Sequence, residues 1–155
     1  MKPDEMKKFH FQFESVLKMR RHKRSMCRQL LGEMLQADQR LIDQTAHLQQ
    51  HRTEQFQEIR SRQSEGRVDI DGATSLRYYA GQLQTQIQSL GANREIVGKQ
   101  IALCRQTLAK AEQEVKAMEK LSDKYRAAFV YTQNQKEMIE LEETWSATRQ
   151  TGGVQ

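Results

Sequence analysis

The chain has 155 residues, a net charge of +5, an apolar content of 37% and a charged content of 29%. Globular domains are about 45–50% apolar, so a large core is excluded. The single proline and eight glycines argue against a sheet-rich fold, which needs many turns. No apolar stretch approaches the ~18 residues that span a bilayer. The N-terminal segment MKPDEMKKFHFQFESV has neither the apolar region nor the small-residue cleavage site expected of a signal peptide. We therefore expect a long, lightly buried helical protein of the cytosol.

Helix 1 is predicted over about residues 10–63. Phe9, Phe11 and Phe13 alternate before the first helical face begins. The apolar stripe that follows has coiled-coil spacing, although Asp38, Thr45 and Arg52 interrupt it. Its members are Cys27, Leu31, Met34, Leu41, Leu48, Phe56 and Ile59.

A loop is predicted near residues 64–75, because SEGRVDIDGATS is the densest cluster of helix-breaking residues in the chain. We expect Thr74 or Ser75 to cap the second helix by accepting backbone N–H bonds.

Helix 2 is predicted over about residues 74–148, followed by a frayed tail at 149–155. Alternate steps of four and three residues from Leu76 to Ile139 reach nineteen positions, of which fifteen are apolar. Such a sustained repeat of 3.5 residues predicts a left-handed coiled coil. Two of the four polar exceptions, Arg94 and Ser122, are expected to fix its register.

The two stripes predict an all-α fold: an antiparallel coiled-coil hairpin forming one domain over residues 1–155. If the chain folds back near residue 69, residue i lies opposite roughly residue 138 minus i, a relation called the fold-back rule below. The N-terminus then reaches only about residue 128, and the last ~20 helical residues of helix 2 lack a partner. Both termini lie at one end of a rod.

The charge is concentrated near the N-terminus. Residues 1–31 carry a net charge of +6 and the remainder carries −1. An acid-free basic run comprises Lys18, Arg20, Arg21, Lys23, Arg24 and Arg28. This distribution predicts either a solvated helix face or an acidic partner.

Few residues suggest chemistry. His47 and His51 have metal-ligand spacing on a helix, but no third ligand follows, so no metal site is predicted. Cys27 and Cys104 fall on the stripes about two turns out of register and are expected to be free thiols. A thin rod offers no water-excluding pocket. We therefore predict no enzymatic activity, no cofactor and no small-molecule ligand.

Three segments resemble the FliJ family of flagellar export proteins. KFHFQFESVLKMRRHKR resembles the start of the family, where a phenylalanine-rich stretch leads into VL-x-x-R. GRVDIDGATSLRYYAGQL resembles its inter-helix region, and VKAMEKLSDKYRAAFVYTQNQKEMIELEETW resembles its C-terminal pattern. The likeness runs nearly end to end, in order, spacing and length.

The resemblance implies a coiled-coil stalk, similar to the central stalk of rotary ATPases, in the cytoplasmic flagellar type III export machinery. It implies peripheral association with the inner face of the cell membrane at the flagellar base. The implied partners are the export ATPase hexamer, the cytoplasmic domain of the export gate and export chaperones. The implied ATPase-facing residues are Phe13, Val16, Leu17, Arg20, Arg21, Arg24, Lys124, Arg126, Met138 and Trp145. The residues implied at the gate are Tyr78, Tyr79 and Leu83.

Two alternatives remain open at this point. The chain could be a generic coiled-coil scaffold or adaptor, or a basic helical hairpin that binds nucleic acid through phosphates. Nucleic acid is the less favoured partner, because the basic run lacks interleaved aromatic residues for base stacking. A related virulence-type secretion system would give the same sequence pattern as the flagellar one.

Overall fold

The computed structural model describes residues 8–66 and 70–153. They form two helices, α1 at Glu14–Ser64 and α2 at Ile70–Thr151. The helices pack against each other, and the described residues contain no strand. The predicted all-α hairpin is confirmed.

Helix α1 begins at Glu14, four residues later than predicted. Residues 8–11 are not helical and residues 12–13 form a turn. The Glu14 N–H donates to the Phe11 carbonyl at 3.1 Å, and the Leu17 N–H donates to the Phe13 carbonyl at 3.0 Å. The helix starts late because alternating phenylalanine side chains pack in a non-helical segment, and because Glu14 places a negative charge at the helix N-terminus.

The predicted loop boundaries are wrong on the C-terminal side. Helix α2 begins at Ile70, so Thr74 and Ser75 lie inside it, and the Thr74 hydroxyl donates to the Ile70 carbonyl at 2.8 Å. Asp71 lies in the first turn, where a carboxylate favours a helix. Residues 67–69, part of the predicted loop, lie outside the described residues.

Helix α1 ends close to its predicted position. Gly66 follows Ser64 with φ +72°, a left-handed conformation that glycine adopts without steric cost. At the far end of the chain, α2 runs to Thr151, three residues beyond the predicted limit, and Gly152 and Gly153 form a turn.

The chain divides into two compact units. The loop unit comprises Ser25–Ala109, and the terminal unit comprises the residues up to Arg24 and those from Lys110 onward. The single domain expected over residues 1–155 remains a prediction.

The two predicted apolar stripes form the seam between the helices and supply the core of the loop unit, except that Phe56 is exposed. Its buried side chains are those of Ile59, Ala80, Leu83 and Ile101. Other stripe members are half-buried: Leu31, Met34, Leu41, Leu48, Leu76, Ile87, Leu90 and Val97. Two facing helices thus bury one narrow apolar layer, as heptad spacing dictates. Cys27 and Cys104 are half-buried free thiols.

Polar residues that interrupt the α1 stripe pair with polar residues of α2 in the loop unit. The Arg94 Nε donates to the Asp38 Oδ1 at 2.9 Å, and Arg52 donates to the Gln84 side-chain oxygen. Asp38 and Arg94 both occupy stripe positions, so an acid interrupting α1 faces a base interrupting α2. Both pairs lie within two helical turns of the predicted facing positions. Such polar seam contacts favour one register over slipped alternatives.

Candidate partner-binding surface

The terminal unit has its own small core, built around the non-helical aromatic segment (residues 8–13). Phe11 is 4% exposed, and it packs with Leu17 at 3% and Val115 at 0%. The half-buried side chains around them are those of Phe9, Phe13, Met118 and Leu121. Burial of these apolar groups holds the aromatic segment on α2.

The aromatic segment extends the hairpin contact along α2. The Phe9 and Phe129 ring centroids lie 5.7 Å apart, and those of Phe11 and Tyr125 lie 6.0 Å apart. The Arg126 guanidinium lies 5.5 Å from the Phe9 ring centroid, within range of a cation–π interaction. Phe9 therefore contacts the position that the fold-back rule predicts.

Glutamates of α2 pair with Arg20, Arg21 and Lys23 of the basic run. Arg20 Nη1 and Lys23 Nζ lie 2.6 Å and 3.6 Å from the Glu114 Oε2, and Arg21 Nη2 lies 3.2 Å from the Glu119 Oε1. These side chains keep roughly a third to a half of their surface in solvent, so each pair contributes modestly to stability. The basic run is therefore partly neutralised within the chain.

The pKa of the Glu114 carboxyl is lowered from its ordinary value of 4.5. Hydrogen bonding from Arg20 is the main cause, partial desolvation opposes it, and the positive charges of Arg20 and Lys23 add to the lowering. Glu114 therefore stays ionised somewhat below pH 4.5 in the folded protein.

The α2 extension, residues 134–153, is uncovered. Every one of these residues is exposed. Its large apolar side chains are more than half exposed: Met138, Ile139, Leu141 and Trp145. The Arg149 guanidinium lies 4.9 Å from the Trp145 ring centroid. The predicted unpaired end of helix 2 is thus present, and exposed apolar side chains of this kind are typical of interaction surfaces.

All ten residues implied at the ATPase-facing end lie in the terminal unit, in three states of exposure. Leu17 is buried in the core, so its side chain has a packing role. Phe13, Val16, Arg20 and Arg24 are half-buried. The exposed members are Arg21, Lys124, Arg126, Met138 and Trp145. The cations and the α2 extension are thus the parts that a partner can reach.

The three residues implied at the gate differ among themselves. Tyr78 is 70% exposed, whereas Leu83 is buried in the seam of the loop unit. Tyr79 packs edge-on against the His51 ring, with centroids 5.6 Å apart. Tyr78 therefore offers the largest accessible aromatic surface of the three.

Within residues 8–66 and 70–153, no three histidine, cysteine or acidic side chains cluster as metal ligands. Neither of the helices described there has an apolar stretch long enough to cross a bilayer.

The family model of the flagellar FliJ protein matches residues 9–150. The chain belongs to the FliJ family. No curated protein and no solved structure matches it. As a FliJ-family protein it is a component of the flagellar export apparatus, and the resemblance seen in its sequence is confirmed.

The sequence patterns do not identify several residues of this FliJ-family surface. Glu114 and Glu119 were not recognised, although the fold-back rule places them within about a turn of positions facing Arg20 and Arg21. Tyr131 was also missed, and it is 64% exposed. Its signal was a spacing of seven residues to Met138 and again to Trp145.

Proposed function

We propose that this FliJ-family protein is a non-enzymatic stalk that binds the export ATPase hexamer through its terminal unit and couples it to the export gate. It works in the cytoplasm, peripherally associated with the inner face of the cell membrane at the flagellar base. Export chaperones bind it as further partners. Family membership supports the setting, and the composition of the terminal unit supports the assignment of the ATPase to that unit.

The observation that carries this proposal is the α2 extension. It is a helix of some five turns on which every described side chain is exposed. An isolated helix of this length is marginal in water, so a partner that covers it would stabilise it. The same unit presents the exposed cations Arg21, Lys124 and Arg126, which favour a partner with acidic or polar loops.

The exposure of the Tyr78 side chain supports the proposal that the export gate binds the loop unit. Exposed tyrosines are favoured anchors in protein interfaces. Tyr79 and Leu83 would then act mainly by holding that part of α2 in place, because Tyr79 packs against His51 of α1 and Leu83 is buried in the seam.

The test of ATPase binding separates the charge of Arg21 from its ion pair. Arg21→Glu removes the pair with Glu119 and inverts one exposed charge. Arg21→Glu combined with Glu119→Arg restores the pair while exchanging the two charges. We expect both variants to raise the half-maximal concentration for stimulation of the purified export ATPase on the order of tenfold, with helicity unchanged by circular dichroism.

The control is Arg62→Glu in the loop unit, where an exposed arginine pairs with Glu58 at 2.9 Å. It removes a similar surface pair away from the terminal unit and should leave stimulation unchanged. Full recovery of stimulation in the Arg21/Glu119 exchange variant would show that Arg21 acts only through its ion pair, against the proposal.

A further inference from the structure

The α2 extension carries most of a second heptad stripe, which lies on a face of α2 that does not take part in the hairpin seam. The steps Ala127, Tyr131, Asn134, Met138, Leu141 and Trp145 alternate between four and three residues. Each lies two or five residues from a seam position such as Phe129 or Thr132. At 3.6 residues per turn this places the second stripe on the opposite side of α2 from the seam.

The second stripe becomes apolar where the seam stops being apolar. Beyond Phe129 the seam continues through Thr132, Lys136, Ile139 and Glu143, of which one is apolar. The four large apolar members of the second stripe are 62–69% exposed: Tyr131, Met138, Leu141 and Trp145. Next to them a shallow groove is lined by side chains that include Ala127, Val130, Tyr131 and Asn134.

The charges between Asn134 and Trp145 are mostly acidic, whereas the Arg149 guanidinium lies beside the Trp145 ring at the end of the stripe. Residues 134–145 hold four glutamates and one lysine, a net charge of −3. None of the four forms an ion pair within residues 8–66 and 70–153. Glu137 and Glu142 lie on opposite flanks of the stripe at the level of Met138 and Leu141. In coiled coils, charges in these flanking positions select the partner helix by complementarity.

We propose that the second stripe is the docking site for one amphipathic helix of a partner protein, with an apolar stripe flanked by lysine or arginine. The length from Tyr131 to Trp145 is about 21 Å, enough for four turns of a paired helix. The inference deepens the proposed function, because it states the chemistry of a partner segment at the same terminal unit. The acidic flanks favour a basic helix over an acidic one.

The test uses the full chain and two synthetic helical peptides of about three heptads. Both peptides carry leucine on one stripe; one has lysine and the other has glutamate in the flanking positions. Trp145 is the only tryptophan and lies on the stripe, so its emission reports binding directly. We expect the lysine peptide to shift the emission to shorter wavelength and to bind at least tenfold more tightly than the glutamate peptide.

Two variants and one matched control locate the site. Leu141→Asp should weaken binding of the lysine peptide at least tenfold, and Glu142→Lys should reduce its advantage over the glutamate peptide. Ile139→Asp places the same charge on the seam side of the extension and should leave binding unchanged. Because nothing described covers these side chains, all three variants are expected to keep the helicity of the parent chain.

Three results would overturn the inference: no response to either peptide, equal affinity for both, or equal losses in Leu141→Asp and Ile139→Asp. A concentration-dependent dimer in sedimentation that Leu141→Asp abolishes would also overturn it, by assigning the stripe to a second copy. The peptide assay contains no ATPase. A failure there leaves ATPase stimulation by the parent chain intact, whereas failure of the proposed function appears only in the stimulation assay.

Discussion

Replacing Val115 by alanine tests whether the small core of the terminal unit holds that unit together. Val115 is 0% exposed and packs with Phe11 and Leu17. The change removes two methyl-sized groups, worth about 0.8 kcal/mol each, and the cavity left behind adds to the loss. Alanine returns about 0.5 kcal/mol through its higher helix propensity. The net expectation is a loss of about 1.5–2 kcal/mol.

The assay is urea unfolding followed by far-ultraviolet circular dichroism, which reads helix in both units. With a slope of about 1–3 kcal/mol per molar urea, the midpoint should fall by roughly 1 M. The matched control is Val130→Ala, the same change on the same helix at a side chain that is 49% exposed. At this exposed site, the free energy lost with the side-chain contacts nearly equals the gain from the higher helix propensity of alanine. The stability of this variant should therefore stay within about 0.5 kcal/mol of the parent.

Equal midpoints for the two variants would refute the reasoning, because burial is the property that distinguishes the two valines. A loss in Val115→Ala accompanied by a smaller slope would mean instead that the terminal unit opens separately from the rest of the chain.

Two further predictions concern the pH dependence of stability and the replacement of glycines by alanine. The lowered pKa of Glu114 stabilises the fold above pH 4.5, and this contribution is lost as the pH falls through the lowered value. Unfolding midpoints measured across that range should therefore fall less steeply in Glu114→Gln, and an unchanged slope would contradict the assignment. Gly91→Ala and Gly98→Ala should each stabilise by about 0.5–1 kcal/mol, since an added Cβ meets nothing within 4 Å. Gly66→Ala, at φ +72°, should destabilise. Urea unfolding followed by circular dichroism measures all three glycine variants, and stabilisation by Gly66→Ala would contradict the backbone argument.

The sequence predicts the hairpin well because heptad spacing acts along the whole chain. Of the fifteen apolar seam positions in helix 2, thirteen are buried or half-buried, all except Tyr125 and Ile139. The Phe9–Phe129 contact follows from the fold-back rule. Asp38 and Arg94, noted separately as interruptions, become a pair once the stripes face each other.

The ends of the helices were predicted less well, because local residues compete there with packing. Gly72 and Asp71 suggested a loop, yet a carboxylate in the first turn is favourable and one glycine costs only about 1 kcal/mol. The phenylalanine alternation was visible, but its consequence depended on burial of Phe11 against Val115. For the surface, the resemblance could not separate Leu17, a core residue, from its exposed neighbours such as Arg21.

The order of contacts along the hairpin has a consequence for how the chain closes. Arg52 and Gln84 are 32 residues apart, Asp38 and Arg94 are 56 apart, and Arg21 and Glu119 are 98 apart. Direct closure of the longest of these loops costs about 1 kcal/mol more entropy than closure of the shortest. We therefore expect local contacts to nucleate pairing of the two helices, and pairing to spread from there toward the termini. We expect the aromatic segment, whose Phe9 contacts Phe129, to be among the last parts to dock.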